Sequence, residues 1–322
     1  MSGELAINTE GLGRSFRIRD TSAKLRRRKE IHAVSDLNLR VPVGTSLGYI
    51  GANGAGKSTT IKMLCGILVP SRGTARTLGL DPVPQRIDLT KRIGVVFGQR
   101  SQLWWDLPLT ESFRILEAIH RLEPGRAKKR RTELVDRLGI GSFLDSPVRQ
   151  LSLGQRMRGE VAAALQHEPE LVILDEPTIG LDVLSKEQLR QFLIEERRER
   201  GTTLMLTTHD MDDVSRLCER IVVIDRGRQV FNGDLDTLID SVGGKRIMTV
   251  DFEGPTPPIH PPAPIERREV QADGARQVFA FAPRQVSAAV VLQELGKHGQ
   301  VRDISLAEPD IEDIVRTLYR SL

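Results

Sequence analysis

The sequence has little cysteine, no long apolar run and no strong charge of one sign, and each shortage removes a class of protein. Cys65 and Cys218 are the only two cysteines in 322 residues. They have no CxxC or His-rich spacing, so neither a disulfide framework nor a zinc site is indicated, and both read as reduced, buried thiols of a cytosolic protein. The longest apolar stretches, such as Ala288 to Leu292, fall far short of the roughly 18 to 20 residues of a membrane-spanning helix. The opening MSGELAINTE lacks the apolar segment of a secretion signal. Basic residues number 47 against 43 acidic ones, an excess too slight to choose between nucleic acid and an anionic membrane as partner. What remains is 39% hydrophobic and 28% charged, a balance that excludes disorder throughout and suits a chain with a large core. Its length fits two domains, or a large α/β unit with a small appendage.

From Gly44 to about Asp240, short apolar runs alternate with helix-period segments, the pattern of βα units building a mostly parallel sheet. The strand candidates are TSLGYI (45–50), IGVVF (93–97), LVILD (171–175), TLMLTT (203–208) and IVVID (221–225), all rich in β-branched residues and apolar on both faces. Residues 100–152 hold no such run and read as an inserted helical subdomain, with ESFRILEAIHRL its best helix. After Gly243 the chain changes character. The proline-rich 253–266 reads as a stiff loop. Beyond it lies a small α+β unit: strand QVFAFA (277–282), a helix with apolar Ala288, Val291, Leu292 and Leu295, strand VRDISLA and a last helix. That helix would be capped at Asp310, carry Glu312 and Asp313 in its first turn, and bury Ile311, Ile314, Val315 and Leu318. The expected domains are therefore 1–240 and 241–322.

GANGAGKST (51–59) satisfies GxxxxGK[ST] directly after a strand and before an amphipathic helix with apolar Ile61, Leu64, Cys65 and Leu68. Gly51, Gly54 and Gly56 let the backbone curl with its N–H groups inward, and the helix N-terminus adds partial positive charge where phosphates sit. Lys57 would reach the β- and γ-phosphates and Ser58 would ligate Mg²⁺, with Asn53, Ala55 and Thr59 completing the ATP-contacting loop. A ligand-free turn needs neither Lys57 nor Ser58 at that spacing. LVILDEP sets Asp175 and Glu176 at the end of a buried strand, where two carboxylates are costly without a metal or proton to manage them. Asp175 is then the Mg²⁺ carboxylate, direct or one shell removed, and Glu176 the candidate that polarises the attacking water.

LSLGQRMRGE directly upstream of LVILDEPTIGLD resembles the ATP-binding cassette family, whose signature is LSGGQ; Leu151, Ser152, Gly154 and Gln155 match and Leu153 replaces a glycine. Read alone, this segment would be an ordinary helix start. The resemblance, over about Leu5 to Asp240, implies an α/β P-loop NTPase cassette with N-terminal antiparallel strands and a helical subdomain, followed here by the small C-terminal unit. It implies an ATPase that closes as a homodimer or heterodimer, Ser152, Gly154 and Gln155 meeting the ATP of the opposite subunit. Gln99 looks like the residue that senses Mg²⁺ and water, Asp182 like the subunit-crossing aspartate, and His209 like the switch histidine, which alone would pass for a core histidine. Phe16 is a candidate for stacking on adenine, with a core aromatic as the other reading. SQLWWDLPLTES, DEPTIGLD and LAEPDIEDIVRTLY are similar to bacterial drug-export ATPases of the daunorubicin-resistance type. A separate membrane-spanning permease and a location on the cytoplasmic face of the membrane follow as expectations. The alternatives are a soluble ATPase acting on ribosomes or nucleic acid and an importer ATPase. The first is disfavoured because translation-factor relatives carry two cassettes and DNA-repair relatives interrupt theirs with coiled coils, so no direct nucleic-acid contact is expected. Trp104 and Trp105 read as a docking surface for the permease or as subdomain packing. The basic 21–30 reads as a solvated insertion and 125–133 as a charged helix face.

Overall fold

The computed structural model describes residues 4–19, 28–98, 101–208, 210–241, 244–307, 314–315 and 317–318. Gln99, His209, most of the basic 21–30 and the expected cap at Asp310 lie outside the described residues. The chain divides into two units, Met1–Asp234 and Leu235–Leu322.

In the first unit, strands β1 (Leu5–Arg19), β2 (Arg28–Leu37), β3 (Arg40–Pro42) and β5 (Arg72–Thr77) form an antiparallel sheet in which β1 pairs with the other three. The second sheet runs β10-β9-β4-β8-β7-β6, with β4 (Ser46–Gly51), β6 (Ile93–Val96), β7 (Leu171–Asp175), β8 (Thr203–Thr207), β9 (Arg220–Asp225) and β10 (Arg228–Gly233). All neighbours in it are parallel except β9 and β10. Side chains of β7 alternate between two cores: Val172 and Leu174 join one, Leu171 and Ile173 the other. That burial on both faces is why the parallel strands read as unbroken apolar runs.

One core packs under α1 (Lys57–Leu64) and the antiparallel sheet, near α2 (Arg86–Thr90); the other packs under α3 (Leu109–Ile119), α4 (Pro124–Arg137), α5 (Leu153–Leu165), α6 (Val183–Arg200) and α7 (Met211–Leu217). Helix α3 begins two residues before the segment expected, because Leu109 is fully buried and anchors the first turn. The charged face expected over 125–133 is only partly one. Arg130 is 2% exposed and its guanidinium bonds Glu196 of α6, itself 0% exposed, while Nε donates to the Leu165 carbonyl at the end of α5 at 3.3 Å. Around this pair, Glu133, Glu168, Arg137 and Arg200 form a lattice of ion pairs that joins α4, α6 and the turn after α5.

The second unit begins with α8 (Leu235–Ser241) and holds an antiparallel sheet β12-β13-β11-β14, from β11 (Arg246–Phe252), β12 (Glu266–Gln271), β13 (Arg276–Phe281) and β14 (Val301–Ala307). Helix α9 (Ala288–Leu295) adds Val291 and Leu295 to a core with Met248, Val250, Phe252, Phe279 and Phe281. Strand β12 lies where a loop was expected to end. ERREVQ carries charges on both sides and exposes most of them, which an edge strand tolerates. Ile314, Val315 and Leu318 are buried as expected. Among the described residues no helix is long and apolar enough to cross a membrane.

Candidate nucleotide site

The glycine loop is wedged between strands. A Cβ on Gly56, the N-cap of α1 at φ 109°, would come within 2.4 Å of the Ala33 carbonyl oxygen; on Gly51 it would meet the Ile224 carbonyl oxygen at 2.7 Å. Gly227, in the turn between β9 and β10, donates to the Ala55 carbonyl at 2.9 Å, and its own carbonyl accepts from Ser35 N at 2.7 Å. Glycine at these positions therefore follows from crowding and from a left-handed backbone, and the result is a rigid cup at the N-terminus of α1.

That cup opens into a cavity of about 480 Å³ lined by Asn53, Gly54, Gly56, Lys57, Ser58 and Thr59 on one side and by Asp175 and Glu176 on the other. The two motifs, more than a hundred positions apart in the chain, thus share one space. Gly51 and Ala55 do not line it but hold its wall. Lys57 Nζ donates to the Gly51 carbonyl at 2.5 Å and the Ala52 carbonyl at 3.3 Å. Burial lowers the lysine's pKa from its ordinary value, while Glu176 and Asp175 pull it back towards the charged form.

Strand β8 fixes the acidic side. Thr207 Oγ1 donates to the Asp175 carboxylate, and Glu176 N donates to the Thr207 carbonyl at 2.9 Å. Glu176 itself is left-handed, φ 57°. For a residue with a long side chain that conformation costs energy and persists only where neighbours impose it, which is common at working sites. Ser58 and Asp175 offer a hydroxyl and a carboxylate in one cavity, a hard oxygen set that suits Mg²⁺. Among the described residues no cluster of three His, Cys, Asp or Glu could cage a metal alone. Mg²⁺ characteristically takes one or two protein ligands and completes its shell with phosphate and water, so the residues present fit it.

Ser152, Gly154, Gln155 and Asp182 are not among the residues that line this cavity. Ser152 caps α5 in a reciprocal box: its hydroxyl accepts from Gln155 N at 3.2 Å and Gln155 Oε1 accepts from Ser152 N at 2.9 Å. Gly154 abuts the turn after Glu176, where a Cβ would lie 2.9 Å from the Gly180 carbonyl oxygen. Leu153, the residue that departs from the signature, lays its side chain over Gly180. Asp182 caps α6, accepting from Ser185 N at 2.9 Å and Ser185 Oγ at 2.7 Å, and these bonds lower its pKa. Phe16 sits half-buried on β1 with the Arg14 guanidinium 4.8 Å from its ring centre, and it does not line the cavity. On α5, Glu160 is buried and accepts from Ser101 Oγ and from Gln102 N at 3.2 Å, so α5 grips the segment that follows position 99. Burial raises its pKa. The sequence reading missed Ala33, Lys62 and Phe97 on the cavity wall. Lys62 carried a signal, standing one helical turn after Ser58.

The family described as ABC transporter matches residues 34–179, which contain both sides of the cavity. The daunorubicin/doxorubicin resistance ATP-binding protein DrrA of Streptomyces peucetius is 38% identical over 224 residues, 70% of this chain and 67% of that one. The chain belongs to the ABC transporter family. Like other ABC ATPases it binds and hydrolyses ATP. The daunorubicin resistance ATP-binding protein DrrA3 of Streptomyces coeruleorubidus is 32% identical over 284 residues, 88% of this chain and 89% of that one, so the likeness continues into the second unit. In three dimensions the ABC ATPase resembles a dimeric post-hydrolysis cassette, MJ0796 bound to ADP and Pi, with a TM-score of 0.63, 25% identity, and coverage of 71% of this chain and 98% of that one.

Proposed function

We propose that the chain powers efflux of drugs or other amphipathic compounds through a separate membrane subunit, and that two cassettes close around ATP to do so. The observation that carries the closure is the division of motifs. Lys57, Ser58, Asp175 and Glu176 share one cavity, while Ser152 and Gly154 are not on its wall. A second copy, or a sister ATPase, supplies them in this reading, as the dimeric form of the similar cassette MJ0796 supports.

The glycine loop binds the phosphates of ATP through inward N–H groups, and Lys57 adds its charge at the terminal two. Ser58, Asp175 and Gln99 would hold Mg²⁺, which when bound neutralises charge on the phosphate oxygens. Glu176, set by Thr207, orients and deprotonates the attacking water; His209 and Gln99, outside the described residues, are assigned to sensing the γ-phosphate through the family motif alone. Loss of the γ-phosphate removes the bridge to the opposite Ser152 and Gly154, and the pair opens. Glu160 passes that change to the segment 101–106, where Trp104 and Trp105 are 37% and 53% exposed and form a docking surface for the membrane subunit. Export of drug-like cargo is supported by the relatives named for daunorubicin and linearmycin resistance and for Nod factor export. The protein would then sit on the cytoplasmic face of the membrane through its partner, without contacting nucleic acid.

Mixing Ser152→Arg and Lys57→Ala chains tests the shared site. Each variant alone should be inactive, whereas the mixture should regain ATPase from composite dimers with one intact site. Proven heterodimers without recovery would refute the arrangement. Accumulation of a labelled anthracycline in cells lacking this ATPase tests the direction; unchanged accumulation would refute drug export.

A further inference from the structure

Outside the cavity, one buried carboxylate gathers more donors than any salt bridge requires. Asp213, in the first turn of α7, is 0% exposed. Its Oδ2 accepts from Thr178 Oγ1 at 2.5 Å and from Thr208 Oγ1 at 3.3 Å; its Oδ1 accepts from Arg190 Nε at 2.7 Å, with Arg190 Nη2 at 2.6 Å. The donors come from three places: the turn after β7, the end of β8 and the middle of α6. Thr178 stands two residues beyond Glu176, whose left-handed backbone is held on its other side by Thr207. Thr208 Oγ1 also accepts from Asp210 N at 2.9 Å, and the Asp210 carboxylate is paired with Lys186 at 2.5 Å and Arg190 at 3.4 Å. Asp210 is therefore tied directly to α6, the helix capped by Asp182, and Thr208 is tied to it through Asp213 and Arg190.

We propose that Asp213, braced by Arg190, is a positioning residue of the ATPase reaction that holds the Glu176 turn, Thr208, Asp210 and helix α6 in one register. A buried ion pair kept for stability alone is a poor bargain, since apolar residues of similar volume usually do as well or better. Convergence of two threonine hydroxyls from two motif-bearing loops on the same carboxylate is what stability does not require and alignment does. Small displacements of a reacting group matter greatly, about 1 Å being able to cost 10²-fold in rate. This inference rests on the assignment of Glu176 as the group that activates water.

The test is kinetic. Thr178→Val removes one hydroxyl at nearly constant shape, and Thr178→Ser restores it. The valine variant should lower kcat for ATP by about 10- to 100-fold, with KM and the melting temperature near wild type, and the serine variant should recover most of the loss. Asp213→Asn and Arg190→Lys should show the same split between kcat and KM. If Asp213→Asn does not fold, the Thr178 pair decides alone. Wild-type kcat in Thr178→Val, or losses that merely track the folded fraction by circular dichroism, would overturn the proposal. Glu176→Gln, measured alongside, separates the two claims. If it keeps turnover, the assignment beneath this inference falls; if it loses turnover while Thr178→Val does not, the inference alone falls.

Discussion

Removing the guanidinium of Arg130 should cost far more than removing the whole ion pair. Arg130 and Glu196 have side chains 2% and 0% exposed. In Arg130→Met, the cations left beside Glu196 among the described residues are Arg200, with Nε 3.3 Å from Oε1, and Arg137, 3.9 Å from Oε2. A buried charge stripped of its main partner destabilises by roughly 3–5 kcal/mol. The remaining arginines set the expectation at the lower end, about 3 kcal/mol, which for a unit of this size lowers the melting temperature by about 6–12 °C. Glu196→Leu should also destabilise, but by less, because Arg130 keeps the Glu133 carboxylate at 2.9 Å. The double variant Arg130→Met, Glu196→Leu leaves no orphaned charge and should return to within about 1 kcal/mol of wild type. The Leu165 carbonyl loses its donor in Arg130→Met and in the double variant alike, so that loss cancels from the coupling. Urea unfolding of all four proteins gives the cycle, and additive single effects would refute the account of a desolvated, mutually dependent pair.

Glu176→Gln should keep ATP binding and lose turnover by on the order of 10²- to 10⁴-fold; rates within a few-fold of wild type would show that another group activates water. His167, stacked on His120 with ring centres 4.0 Å apart, has its pKa lowered from 6.5 to about 4, by burial first and then by His120. A lowered histidine pKa means that the unfolded chain takes up the proton first, so stability is present above pH 6.5 and is lost as the pH falls towards 4. The loss between pH 7 and pH 5 should be about 2 kcal/mol, and His167→Gln should flatten that part of the urea-derived profile. Replacing both Trp104 and Trp105 by Ala should leave basal ATPase nearly intact while abolishing co-purification of a membrane subunit; retained co-purification would place docking elsewhere.

The nucleotide cup was legible because its geometry is local. Gly51–Thr59 is one continuous turn whose residue types state their backbone angles and donors, and LVILD announces a strand buried on both faces. Contacts between distant segments were not legible in that way. Nothing adjacent to Leu153 in the chain indicates that it covers Gly180, and nothing near Asp213 indicates Thr178, thirty-five positions earlier. Arg130 lay between these cases. It stands in line with Ala127 and Leu134, three and four residues away on a helix, and both are buried. The surrounding run of lysines and arginines hid that stripe. Strand β12 was missed because only pairing with β13 makes ERREVQ a strand.

The order of the central strands carries a restriction on how the chain can change length. Strand β8 lies between β4, which delivers the glycine loop, and β7, which delivers Asp175 and Glu176. Its last residue, Thr207, reaches Asp175, and the next, Thr208, reaches Asp213. Successive side chains leave a strand on opposite faces, so a single residue inserted into or deleted from β8 would exchange the two threonines and unmake both contacts together. Strand β8 therefore acts as a fixed ruler between the two walls of the cavity. Insertions can be absorbed in the proline-rich segment or in the turns of the second unit, but one within Thr203–Thr207 would have to be undone by a compensating deletion in the same five residues.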